Sequence, residues 1–488
     1  MNRLLTLLAL FGAAATQAQS DAVISGLDWV PQHTALRPHQ RPEGGYFMLP
    51  GAEVGFATNW LQPAQWLETT DAGTTVRVVD MLSSLHESNG VQLAVQADLI
   101  GWGKALGKSK QHFLSFGISE QVSSQITLPG DLIRLPFLGN AGFEDGQVDA
   151  QRIGAELMHY RSYHLGWQAH LNDRWSAGLR LHHLRGFEYA SLRNAGVTWA
   201  TDPDTWSWTI TGGAEVQTAG LAALWDTVDG NAALEQGAQA YLGRAGDPGW
   251  ALDAGVSFRP SDRWSLEASV MGLGRIAWQR EAWSASWQSE AMSFDGLSLG
   301  AWAVDPAALQ DSLDRWAGQT LAWADSATRP TPSEASFTTA LPVRWNLRAV
   351  RQLGDRAALH LALREGLTSA VTAQLGATFE LGTTFQGHVT YQHGNGLRAL
   401  GVGFAAHLGP LQWFTVVDNA LAAQLVAVEL PEDRTLYLPY DASRLQARMG
   451  LSWVFGRKRK ISPPPAGVSW EPSSQRPGGQ VTRTCPSF

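Results

Sequence analysis

The sequence predicts an all-β protein: one antiparallel transmembrane β-barrel of about 14, and up to 16, strands. Three observations carry that expectation. Segment after segment alternates strictly between apolar and polar residues, with no apolar run of the 18 residues that a membrane helix needs. The chain opens on a secretory signal. Its composition is that of a wall between oil and water, with 16% charged residues, 50 glycines, and 22 Trp against 8 Tyr.

The alternation is plainest near the end. Leu445, Ala447, Met449, Leu451, Trp453 and Phe455 make one face, and Arg444, Gln446, Arg448, Gly450 and Ser452 the other. Upstream, Val371, Ala373, Leu375, Ala377 and Phe379 oppose Thr372, Gln374, Gly376, Thr378 and Glu380. A secreted sandwich also alternates, but it would leave too many apolar positions facing nothing.

Residues 1–18 read as a signal peptide: Arg3, an apolar run from Leu4 to Ala15, then small residues around Ala18. Residues 19–44 precede the first alternating strand and are expected to enter the barrel as a hatch. The barrel itself is assigned to 45–456. The remaining 457–488 open with Arg457, Lys458, Arg459 and Lys460 and are rich in Pro, Gly and Ser, the composition of a disordered periplasmic tail. The formal charge of −8 argues against a nucleic-acid partner.

With both termini taken to be periplasmic, counting back from the last strand assigns each connection to a side. The related turns Asn172-Asp173-Arg174, Ser261-Asp262-Arg263 and Gly354-Asp355-Arg356 fall on the periplasmic side, where Asp with Asn or Gly suits tight hairpins. Three long insertions, 59–88, 220–247 and 295–335, fall outside. Asp305-Pro306 starts an external amphipathic helix with Leu309, Leu313 and Trp316 on one face, and Val76 to Leu85 is a weaker helical run. The stretch 188–216 fits either two more spanning strands or an external hairpin.

Specific phrases resemble a family of outer-membrane barrels of unknown function from the phylum that uses type IX secretion, distantly similar to the fatty-acid transporter FadL and the secretion shuttle PorV. They are the hatch phrase Leu36 to Pro42, the strand Gly249 to Gly255, Phe294-Asp295-Gly296, Ser336 to Pro342, Val417-Asp418-Asn419 and the ending Cys485 to Phe488. Arg37 and His39 stand where the hatch phrase has Asn and Ala. The resemblance implies a 14-stranded barrel with an N-terminal segment in the lumen, Leu36, Pro38 and Pro42 belonging to that hatch.

Inward positions on this reading include Arg180, His182, Arg263, Arg344, Arg348, His360, Arg364, His388, Arg444 and Arg448, with Asp253, Glu267 and Glu380 as the opposing acids. Such an excess of positive charge would favour anions. Alternatively the arginines pair with acids of the hatch and fill the lumen. Asp418-Asn419 at a strand end could ligate a cation or anchor a loop, and it is also an ordinary turn starter. His182 and His183 are adjacent, so they face opposite sides and make no metal pair. No H-E-x-x-H or cysteine pair is present, so neither an enzyme nor a bound metal or cofactor is expected.

Two functions remain. One is transport or lumenal binding of a small amphipathic or anionic solute. The other is a non-enzymatic scaffold in a secretion or outer-membrane assembly complex, docking periplasmic or outer-membrane partners through Leu309, Leu313, Trp316, Arg457 to Lys460 and Cys485. Both need outer-membrane lipid and the barrel assembly machinery.

Overall fold

A computed structural model describes residues 21–456, apart from 61–62, 71–72, 108–109, 140–142, 144–146, 152, 195–197, 206, 222–242, 289–290, 295–317, 319–332, 366–370, 395–396, 421–424, 431–433 and 440–443. The signal segment, the helix at Leu309, Leu313 and Trp316, the Arg457–Lys460 run and Cys485 therefore lie outside the described residues.

The alternating segments close into a 14-strand antiparallel barrel. In order these are β1 (Gly45–Met48 and Gly51–Thr58), β2 (Ser88–Leu106), β3 (His112–Pro129), β4 (Gly154–His170) and β5 (Trp175–Asn194). Then come β6 (Gly213–Ala219 and Asp247–Ser261), β7 (Trp264–Trp278 and Trp283–Gln288) and β8 (Ser333–Glu334, Phe337–Ala340 and Arg344–Gln352). The circuit finishes with β9 (Ala357–Glu365), β10 (Val371–Leu381), β11 (Phe385–Gly394), β12 (Leu397–Leu408), β13 (Leu411–Val417) and β14 (Arg444–Phe455). β14 pairs with β13 on one side and β1 on the other, for example Val54 opposite Ala447, which seals the cylinder. Closure leaves no edge in the sheet, the condition for a strand to cross lipid.

One end carries only short turns, such as Leu171–Arg174, Asp262-Arg263 and Leu353–Arg356. The long connections gather at the other. Around the short-turn end Trp102, Trp167, Trp175, Trp264, Trp413 and Trp453 point outward and are exposed, and a band of exposed leucines lies above them, among them Leu165, Leu181, Leu361 and Leu375. An exposed apolar band edged by aromatics is the surface of a transmembrane barrel. The fold is that of an outer-membrane barrel.

The ambiguous stretch around 200 resolves outside the wall. Thr198–Thr201 and Trp208–Thr211 pair with each other and with Gln147–Asp149 and Met292–Phe294 in a separate four-stranded sheet at the long-loop end. The strand count thus stays at the lower figure. The insertion at 220–247, expected between strands, instead interrupts β6, whose two halves pair in succession with β5. The weak helical run contains a helix of six residues, Val78–Ser83.

Residues 21–44 run inside the barrel. A short helix, Asp21–Ile24, leads to a 3-10 turn, Pro31–Ala35, which starts on proline, the residue preorganised for a first turn. Val23, Ile24, Leu27, Val30 and Leu36 are buried with Met271, Ala405, Phe414 and Val416 from the wall. Glycines in the wall make room. A Cβ on Gly178 would sit 1.9 Å from the Pro38 carbonyl oxygen, and one on Gly403 would sit 2.4 Å from Val23.

A polar lumen built around residues 21–44

Turns within residues 21–44 satisfy some of the segment's own N–H and C=O groups, such as Gly26 N to Val23 O and Leu36 N to His33 O, and the wall satisfies others. Seven contacts show how. Asp418 Oδ1 accepts from Val23 N at 3.3 Å, and Gln374 Nε2 donates to Ala22 O at 2.9 Å. Thr378 Oγ1 donates to Gly26 O at 2.9 Å, and Gln386 Oε1 accepts from Trp29 N at 3.1 Å. Gln412 Nε2 donates to Trp29 O at 3.0 Å, Ser269 Oγ to Leu36 O at 2.9 Å, and Arg348 to Ser25 O. Much of the lumen's polarity therefore serves the inner segment.

The charges follow the same logic. Arg37 holds Glu267 through Nε at 2.8 Å and Nη2 at 2.6 Å, and also bonds Asp28. Burial opposes a charge on Arg37, yet Glu267 and Asp28 outweigh it and raise its pKa. His39 Nε2 stands 3.4 Å from the same carboxylate. The two residues that depart from the hatch phrase are thus the ones that meet Glu267. Arg348 bonds His360, whose Nε2 lies 2.6 Å from Thr378, and His388 Nδ1 lies 2.9 Å from the same hydroxyl. Arg364 bonds Gln374, and Glu380 accepts from Trp29 Nε1 at 3.1 Å. Arg448 pairs with Glu53 at 3.0 Å and with Asp98, and Arg444 with Asp418 at 3.4 Å. Leu36, Pro38 and Pro42 are all buried.

Three expectations are corrected. Arg263 does not line the lumen, because it sits exposed at the tip of the β6–β7 turn, beyond the wall. The lumen holds no positive excess among the described residues, since Asp28, Glu53, Asp98 and Asp418 join the three acids expected. Sequence reasoning missed Glu53 and Asp98 because parity marks a face without ranking which polar residues meet across it. Asp418 and Asn419 do end the strand, but they are fully buried there, with Asp418 spent on Val23 and Arg444.

One region of the lumen is left open. A cavity of about 90 Å³ lies over Pro31–Leu36. Its walls include Gln96 and Asp98 (β2), Tyr160, Ser162 and His164 (β4), Arg180 and His182 (β5), Asp253 (β6), Arg344 (β8) and Arg448 (β14). His182 is fixed by Ser162 at 2.9 Å and Asp253 at 2.8 Å, while the other Asp253 oxygen accepts from Gly272 N at 2.9 Å across a β-bulge. Arg180 is different. It is buried, it has no ion pair among the described residues, and its Nε has no hydrogen-bond partner. On the same measure a single water needs roughly 10–15 Å³, so the space suits several waters or one small polar solute.

The family of unknown function DUF5723 matches residues 35–418, most of the strands and the cavity wall. The chain belongs to this family. No curated protein matches its sequence. Several solved structures are similar to this DUF5723 member over most of their length at very low identity. The toluene transporter TodX of Pseudomonas putida is 10% identical, with 90% of this chain and 97% of that one covered and a TM-score of 0.42. The toluene transporter TbuX of Ralstonia pickettii is 8% identical, with 88% and 94% covered and a TM-score of 0.41. A FadL homologue of Pseudomonas aeruginosa is 13% identical, with 90% and 97% covered and a TM-score of 0.40.

Proposed function

We propose that this DUF5723 barrel binds a small anionic solute in the lumenal cavity and passes it across the outer membrane when residues 21–44 shift. The observation that carries this reading is Arg180, a buried guanidinium lining a polar cavity without an ion pair among the described residues. An unpaired buried cation is costly, and a bound carboxylate or phosphate would offset that cost with charge-assisted hydrogen bonds. His182, locked between Ser162 and Asp253, sets the shape of the site beside it. The short-turn end is assigned to the periplasm and the long connections to the outside, as in outer-membrane barrels generally. Residues 21–44 would then act as a plug reached from the periplasmic side.

The test is calorimetric titration of the purified full chain with inorganic phosphate, acetate and citrate, followed by bilayer conductance. Binding of one of them that weakens at least tenfold in Arg180→Gln supports the reading. Failure of the unaltered protein to bind any of the three, or binding indifferent to Arg180→Gln, would defeat it.

A further inference from the structure

The outer face of β4–β7 changes character abruptly. Cross-strand register sets Leu165 opposite Leu181, Leu181 opposite Leu252, and Leu252 opposite Leu273, an unbroken leucine row on the lipid side. Two residues nearer the long-loop end, the row becomes Tyr163, His183, Trp250 and Arg275. In the next row Arg161 lies opposite Arg185. Residues directly opposite in neighbouring strands share a face, so all of these side chains leave the wall on its outer side, where Arg161 is itself covered and fully buried. An apolar row followed by an aromatic and basic one marks the passage from hydrocarbon to headgroups.

The acids of this patch are already engaged. Glu120 takes Arg161 at 2.7 Å and His159 at 2.8 Å, and Glu188 takes His159 and Arg244. Two cations are left over. The Arg185 guanidinium lies 5.6 Å above the Tyr163 ring, and Arg275 is exposed, and neither has an ion pair among the described residues. Arg275 is directly opposite Trp250 and Arg185 is diagonal to it, roughly 5 and 7–8 Å away at the Cβ atoms. Arg275 can reach an anion over that indole directly, and Arg185 can reach it by swinging from the Tyr163 ring across its own strand.

We infer that Arg185 and Arg275, on either side of Trp250, bind the phosphate of a lipid headgroup in the leaflet at the long-loop end. Phosphate accepts the forked hydrogen bonds that guanidinium donates, and Trp250 would pack beneath the sugar or glycerol that carries it. The site lies on the outside of the wall and is independent of the lumenal cavity.

Native mass spectrometry of the full chain in detergent tests this. The probes are a doubly phosphorylated glucosamine lipid, the same lipid with its phosphates removed, and inorganic phosphate. The expected result is a preference for the phosphorylated lipid that falls at least tenfold in the Arg185→Gln, Arg275→Gln pair. Arg275→Gln alone, at an exposed position, should lose severalfold, which keeps the test valid should the pair misfold. Equal retention of the dephosphorylated lipid, unchanged binding in Arg275→Gln, or inorganic phosphate binding as tightly as the lipid would each overturn the assignment.

Discussion

Arg37 and Glu267 stand 230 positions apart in the chain and meet through two parallel hydrogen bonds inside the barrel, with both side chains buried. Removing one partner of such a pair strands the other charge in a dry interior. That typically costs about 3–5 kcal/mol. Glu267→Gln is therefore expected to loosen residues 21–44 while leaving the barrel closed. The readout is protease access to those residues together with unchanged heat-modifiable mobility. Adding Arg37→Gln should recover part of the loss, because the stranded cation is gone.

His33 gives the inner segment a dependence on pH. Burial, and then the nearby Arg37, lower its pKa to about 4, so it is neutral in the folded protein, with Nδ1 bonded to the Val30 carbonyl. The folded value lies below the ordinary one of 6.5, so the unfolded form binds the proton more tightly. The segment's docking is then fully favourable above about pH 6.5, weakens on acidification, and has lost the whole contribution near pH 4, about 3 kcal/mol. Asp28 acts later. Burial raises its pKa, but Arg37, His33 and Arg348 outweigh burial and hold it below 3.8. Protease access measured from pH 7 to pH 4 should rise through this window in the unaltered chain and stay nearly flat in His33→Gln.

Gly178 is required by the backbone that crosses it. A methyl group there would lie 1.9 Å from the Pro38 carbonyl, and main chain cannot swing aside as a long side chain would. Gly178→Ala should cost about 1–3 kcal/mol and push the Pro38–His39 stretch off the wall. Gly354→Ala is the control, since nothing lies within 4 Å of the added atom. A fall in thermal stability for the first and none for the second is the expected outcome.

The aromatic belt can be read optically. Trp453 is exposed on the outer face, whereas Trp278 is fully buried and bonded through Nε1 to Thr339 at 2.8 Å. Lipids brominated near the headgroup should quench Trp453 and spare Trp278. Replacing Trp453 with Phe should therefore reduce the quenchable fraction, and replacing Trp278 with Phe should raise it.

The wall was the legible part of this protein. A period of two in β10 or β14 depends only on each residue's own polarity, so faces and turns could be read, and the strand count to between 14 and 16. The contacts across the lumen were harder. Nothing in the residues around Asp28 or Glu53 says that Arg37 and Arg448 wait opposite, because those partners are set by barrel closure. Parity also fails at bulges. Phe187 falls between paired residues of β4 and β5 and shifts the sequence frame, which hid the outward position of Glu188. Arg263 failed for a simpler reason: a strand's alternation was carried one step too far, into a turn.

The inner segment's anchors lie almost anywhere but beside it. Gln32 bonds Ser452 on the last strand, 420 positions away, while Pro38 rests on Gly178 and Trp29 on Gln386 and Gln412. None of these sites exists as a surface until the strands that carry them are side by side, and the Ser452 strand is the one that seals the cylinder. Residues 21–44 are made early and can settle only late. Their full set of contacts forms only once the Ser452 strand is in place, so their docking reports that the circle has closed.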